Sequence, residues 1–169
     1  LQISHKGGTI INAYLNKYPK ELNSEDKFQL LSNNTGSIFQ AQSGLLPANQ
    51  MPTHHSEYFS DQQDYFLGDK DELIVPLTWK GDNGIVVTKN YHFKPNSYVV
   101  EVDYQITNNS GIEQTVSSYT QLVRDSVVDS GGFALGMRAY SGAATYNDEE
   151  IFEKIKFEDF DSTPKTTSK

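Results

Sequence analysis

Histidine is the side chain best suited to hold a metal ion or move a proton near neutral pH. This chain has four of them: His5, His54, His55 and His92. His54 and His55 are adjacent. Neighbours on a strand point to opposite faces, so such a pair rarely chelates one ion; the metalloprotease pattern instead places two histidines on one helix face. A metal site needs three or four converging ligands, and no third ligand stands at a fixed spacing from the pair. The pair reads as part of an exposed loop, and the expected metal set is none. Carboxylates cluster in Asp61-Gln62-Gln63-Asp64 and in Asp69-Lys70-Asp71-Glu72. Two facing carboxylates can cleave a glycosidic bond, but both clusters fall where loops are expected, so solvated turns are the better reading. Asp69-Lys70-Asp71 opens like a calcium loop, which needs alternating acids, a central glycine and a distal glutamate. A strand follows at once and excludes it. The chain has no cysteine, hence no thiol nucleophile, thiolate metal site or disulfide framework. No glycine-rich phosphate loop and no G-x-S-x-G elbow is present. Gly7-Gly8 reads as a turn or bulge, and Gly131-Gly132 as a loop end. The expected catalytic and cofactor-binding sets are both none.

The elements that would position any site are strands. Tyr98, Val100, Val102, Tyr104 and Ile106 alternate with Val99, Glu101, Asp103, Gln105 and Thr107. Period-two alternation marks a strand with one face buried and one in water, so Val100, Val102, Tyr104 and Ile106 are expected to line the core. Val87, Lys89, Tyr91 and Phe93 alternate with Thr88, Asn90 and His92, and Lys94-Pro95-Asn96-Ser97 turns the chain into the next strand. The two form an antiparallel hairpin. Leu73, Val75, Leu77 and Trp79 share another strand face, where Pro76 removes a ladder donor and implies an edge or a bulge. Gly81-Asp82-Asn83-Gly84 closes that strand onto Ile85.

Val116 to Val123 alternates weakly and is expected to pair after the Asn108–Gly111 turn. Ile3, Gly7-Gly8 and Ile10 to Leu15 suggest an opening hairpin. Phe28 to Leu31 and Ile38 to Gln42 read as short strands around Asn33-Asn34-Thr35-Gly36. Residues 46–57 and 125–132 read as loops. Glu149 to Phe157 fits a short helix or a strand equally. Residues 1–160 read as one domain, and the Ser/Thr/Lys-rich stretch 161–169 as a disordered tail. Successive antiparallel strands joined by turns predict an all-β sandwich.

Composition narrows the function further. The 169 residues suit one domain of ordinary size. Only 36% are hydrophobic, so ten Tyr, nine Phe and one Trp must supply much of the core. The net charge is -8 and the only arginines are Arg124 and Arg138, which argues against a nucleic-acid partner and against anionic lipid. No apolar run reaches the ~18–20 residues of a membrane span. Leu1-Gln2-Ile3-Ser4-His5 lacks the basic lead and apolar core of a signal peptide, so a targeting segment for an exported or membrane-bound protein would lie outside this chain.

The last third combines small residues (Gly136, Gly142, Ala143, Ala144) with aromatic rings and an arginine. Small residues let another chain approach closely, and aromatics with Arg are the usual interface anchors. Phe133, Arg138, Tyr140 and Tyr146 are therefore the candidate partner-binding residues. Core packing is the competing reading for the rings of Tyr140, Tyr146, Phe152 and Phe157, because aromatics dominate core energetics.

Several phrases, in order, carry a family resemblance. They are Gly7-Gly8-Thr9-Ile10 with Ala13, Leu15 and Tyr18-Pro19-Lys20-Glu21-Leu22; Phe28-Gln29-Leu30-Leu31; and Gln40-Ala41-Gln42-Ser43-Gly44-Leu45. Glu72-Leu73-Ile74-Val75-Pro76-Leu77-Thr78-Trp79, Thr88-Lys89, Tyr98 to Asn108 and the Phe133–Phe157 block follow. Together they resemble the periplasmic domain of bacterial YidC-type (YidC/Oxa1/Alb3) membrane protein insertases. The resemblance implies an antiparallel β-supersandwich similar to galactose mutarotase-like folds, held on the periplasmic side of the bacterial inner membrane. It implies a non-catalytic role aiding insertion and folding of inner-membrane proteins. The implied partners are nascent membrane proteins and the Sec accessory proteins SecD and SecF. No catalytic residue carries over. The family's sheet continues past the point matching Thr166 to Lys169, so the chain looks truncated relative to it. The alternative is a carbohydrate-binding or aldose-epimerase-like enzyme on the same fold, which would show a His/Glu cluster in a cleft.

Overall fold

Alternating apolar and polar residues build strands wherever two sheets can share a core. In the computed structural model, which describes residues 1–125, 140, 142–146 and 152–160, they do so along most of the chain. The chain divides into two compact units, Leu1–Arg124 and Asp125–Lys169. In the first, the strands are β1 (Gln2–Ile3), β2 (Ile10–Pro19), β3 (Lys27–Asn34), β4 (Ser37–Leu46), β5 (Leu73–Lys80), β6 (Ile85–Phe93), β7 (Val100–Asn108) and β8 (Ser117–Arg124). They form a five-stranded sheet, β1-β2-β3-β4-β8, and a three-stranded sheet, β5-β6-β7. All their pairings are antiparallel.

The opening hairpin, the β3–β4 pair and the β5–β6–β7 meander follow the sequence pattern, with longer strands than expected in β2 and β4. Pro76 sits on β5, at the end of its sheet, where the missing N–H costs little. Ile10, Ala13 and Leu31 of the larger sheet pack in one cluster with Val75, Leu77 and Tyr91 of the smaller, sealed by Tyr58. Leu45, Met51, Ile85 and Val87 form a second cluster. The first unit is thus a two-layer β-sandwich, and residues 47–57 form a loop that delivers Met51 to its core.

Two expectations need correction. Val102 and Ile106 do not line the core: they are 37% and 39% exposed, while Val100 and Tyr104 are half-buried. The alternation is correct, but the facing sheet covers β5 and β6 more fully than β7. β8 does not pair with β7 after the Asn108–Gly111 turn. It crosses to the other sheet and lies along β4, from Phe39↔Arg124 to Leu46↔Ser117.

In the second unit, β9 (Gly142–Thr145) and β10 (Glu153–Lys156) form an antiparallel two-stranded ribbon, followed by a 3-10 turn at Phe157–Asp159. The stretch that fitted helix or strand equally is thus a strand at 153–156. Residues 126–139, 141, 147–151 and 161–169 lie outside the described residues, and with them the expected loop end at Gly131-Gly132 and the expected tail.

Candidate functional site

Strand parity puts Ile85, Val87, Lys89 and Tyr91 of β6 on the inner face, and all four are essentially inaccessible. One of them is a lysine. A buried ammonium without partners is very costly, so the fold surrounds this one with acceptors. Lys89 Nζ donates to the carbonyl of Gly7 at 2.9 Å and to that of Ser43 at 3.1 Å. The rings of Tyr91, Tyr104 and Tyr58 lie 5.3, 5.7 and 5.9 Å from it, within cation–π range. Tyr91 Oη donates to the Gly8 carbonyl, and Tyr104 Oη donates to Ser43 Oγ at 3.0 Å. Side chains of the smaller sheet thus supply the donors, and Ser43 with the Gly7-Gly8 turn supplies the acceptors.

Gly7 and Gly8 have φ of 69° and 60°, and a Cβ on Gly7 would lie 2.2 Å from the His54 carbonyl oxygen. Only glycine suits that turn. Burial lowers the Lys89 pKa to about 7 and raises those of Tyr58, Tyr91 and Tyr104. Tyr58 Oη is buried without a hydrogen-bond partner. Lys89 is inaccessible, so its role here is to fasten two sheets rather than to attack a substrate. Beside this polar node lies an open groove of about 420 Å3, with Gly8, Ser43 and Tyr91 as floor and Val100, Val102 and Leu122 among its walls.

The histidines occupy two other places. His92 bridges two carboxylates, with Nε2 2.5 Å from Asp103 Oδ2 and Nδ1 3.2 Å from Glu72 Oε1. Asn90 Nδ2 donates to the other Asp103 oxygen at 3.0 Å. The hydrogen bonds to Asp103 and then Glu72 raise the His92 pKa, and those from Asn90 and His92 lower that of Asp103. Both ring nitrogens are occupied, and the cluster lies on the sheet face opposite Lys89. It is a His/Glu cluster, but it does not line the groove. Among the described residues no group of three or more His, Cys, Asp or Glu side chains is arranged so that it could hold a metal ion. His54 is half-buried rather than exposed, because its ring packs on Tyr119; His55 is exposed and its ring stacks on His54 at 3.9 Å.

Of the candidate partner residues, Tyr140 and Tyr146 are 42% and 71% exposed, and Phe152 is 62% exposed. The core-packing reading therefore fails for these three rings. Lys154 Nζ lies 5.0 Å from the Tyr140 ring and 5.6 Å from that of Phe152, and Tyr140 Oη donates to the Ala143 carbonyl at 3.0 Å. Gly142 packs against the Ile155 carbonyl, where a Cβ would come within 2.2 Å. Phe133 and Arg138 lie outside the described residues.

Sequence reasoning missed the Lys89 node, although its signal was there: a lysine in the apolar parity of Val87 and Tyr91. It also missed the Glu72–His92–Asp103 bridge, whose members lie on β6, on β7 and at the residue just before β5.

The family model for the YidC periplasmic domain matches residues 1–169. The chain is 57% identical over its full length to the membrane protein insertase YidC of Vesicomyosocius okutanii, covering 30% of that relative. It is 56% identical over its full length to the insertase YidC of Ruthia magnifica, again covering 30% of it. It is 38% identical over 159 residues, 94% of this chain, to the insertase YidC of Pseudoalteromonas atlantica, covering 29% of it. The chain thus spans about 30% of the length of the curated relatives it matches.

Proposed function

The chain belongs to the YidC periplasmic domain family, and from that membership we propose that it is the non-catalytic periplasmic part of a membrane protein insertase. In this reading residues 1–160 act as one domain on the periplasmic side of the inner membrane. They help the membrane-embedded remainder of the protein insert and fold its clients, which are nascent membrane proteins. The observation that carries the reading is the family match over the whole chain.

The contact surface we assign is the β9–β10 ribbon with its flanks. Tyr140 and Tyr146 stand out from it beside Phe152 and Lys154, and Phe133 and Arg138 precede it in the sequence. Exposed tyrosines, with an arginine near them in the sequence, are the residue types enriched at binding hot spots. The partner is a Sec accessory protein of the SecD/SecF kind. An epimerase would instead need an acid and a base converging on the groove, and His92 is committed to Asp103 and Glu72 on the other face.

The test replaces Tyr140 and Tyr146 with Asp in the full-length insertase and measures co-purification of Sec components alongside insertion of a client. Association should weaken while insertion survives, because the membrane core carries insertion. Unchanged co-purification, with the variant normally folded, would sink the assignment.

A further inference from the structure

The turn at Thr53–Ser56 is held from three sides. Gly7 N–H donates to the Ser56 carbonyl at 2.7 Å. Thr53 N–H donates to Ser56 Oγ at 2.9 Å, and Ser56 N–H returns to the Thr53 carbonyl at 3.1 Å. The third hold is His54 on Tyr119 of β8. The His54 backbone N–H donates to Tyr119 Oη at 3.1 Å, and His54 Nδ1 lies 2.6 Å from the same oxygen. A phenol has one hydrogen. In the Nε2–H tautomer of neutral His54, Nδ1 accepts that hydrogen while the phenol oxygen accepts the amide, and it is this tautomer on which the latch rests.

We propose that this turn is an acid-sensitive latch: neutral His54 closes it on β8, and protonated His54 releases it. Protonation converts Nδ1 from acceptor to donor and leaves the Tyr119 hydrogen without its acceptor. It also places a charge among basic groups. His55 stacks on the His54 ring from the same loop, and Lys89 acts on it from β6. Tyr119 is the titratable group that β8 presents. Glu57, the acid of the loop, is bridged through its backbone to Lys6.

Burial, then His55, then Lys89 lower the His54 pKa below its ordinary 6.5. A lowered histidine contributes stability that is present above the unfolded value and lost as pH falls, so acid acts in the releasing direction. The turn also rests on Gly7, whose carbonyl receives Lys89. Release therefore reaches the node that fastens the two sheets. His92 does the opposite: its pKa is raised, so its contribution is lost as pH rises.

The test is an NMR titration of the full 169-residue chain from about pH 7.5 to about pH 5, following the His54 ring and the amides of Gly7, His54 and Ser56. In the wild type those amides move with the midpoint of His54, below 6.5. His54→Asn keeps an acceptor for Tyr119 and removes the charge, and the amides lose their pH response. Tyr119→Phe opens the latch at neutral pH, so the amides start at their acid positions and the His54 midpoint moves upward. Amides that stay fixed while the wild-type His54 titrates, or that move unchanged in His54→Asn, overturn the proposal. If His54→Asn fails to fold, the wild-type titration and Tyr119→Phe decide alone.

Discussion

Replacing Lys89 with Met separates the two things a buried lysine does. The stem still packs, but the Gly7 and Ser43 carbonyls lose their donor. Each orphaned acceptor costs about 1–3 kcal/mol. Against that, the variant no longer carries an ammonium that the interior disfavours. Near neutral pH the two effects offset each other in part, so a single melting temperature decides little. The pH slope decides.

Lys89 titrates at about 7 in the folded state, against 10.5 unfolded. The unfolded state binds more protons between those values, so stability rises with pH there and the gain is absent below about 7. From pH 7 to pH 9 the linkage integral gives about 2 kcal/mol, starting from a half-protonated amine. For a chain of this size that is roughly 4–8 °C in Tm. Circular dichroism melts at pH 7, 8 and 9 are the assay. Wild-type Tm should climb by that amount relative to Lys89→Met, because the opposite trend from His92 is common to both proteins. A wild type that does not climb relative to Lys89→Met would show that two carbonyls and three rings hold the ammonium charged.

Gly7→Ala should lose several kcal/mol by urea unfolding, because φ of 69° and the His54 carbonyl at 2.2 Å leave no room for a Cβ. A loss under about 0.5 kcal/mol would mean the turn can shift freely. Val87→Asp buries an unpaired carboxylate at a site with 0% exposure and should cost several kcal/mol. Val102→Asp, at 37% exposure, should cost distinctly less; equal losses would mean that β7 is covered. Polarimetry of aldose anomerisation should show only the uncatalysed rate, and an acceleration abolished by His92→Gln would restore the epimerase reading.

The strands were legible because alternation is local chemistry. Leu73, Val75, Leu77 and Trp79 share a face in sequence and in space, and Pro76 announced an edge that β5 occupies. What the alternation could not show was how far the opposite sheet reaches. Val102 and Ile106 have the right parity for burial, and the facing sheet covers β7 too little to bury them. Nor could it show that β8 leaves its neighbour for β4, since a crossover depends on distant partners. The site was less legible for the same reason. Lys89 reaches Gly7 and Ser43 across 82 and 46 residues, and His92 finds Glu72 and Asp103 across 20 and 11. That the Tyr140 and Tyr146 rings stand exposed, rather than packed in a core, was not legible in the sequence, where both readings fit the same residues.

Site-specific photo-crosslinking in the full-length protein decides whether the β9–β10 ribbon is a contact surface. A photoreactive residue placed at Tyr146, which is 71% exposed, should capture a Sec accessory protein in the inner membrane. The same probe at His55 or Asp69, in exposed loops of the first unit, should not. Equal capture from all three positions, capture from His55 or Asp69 and none from Tyr146, or no capture from any of them would show that the ribbon is not that surface.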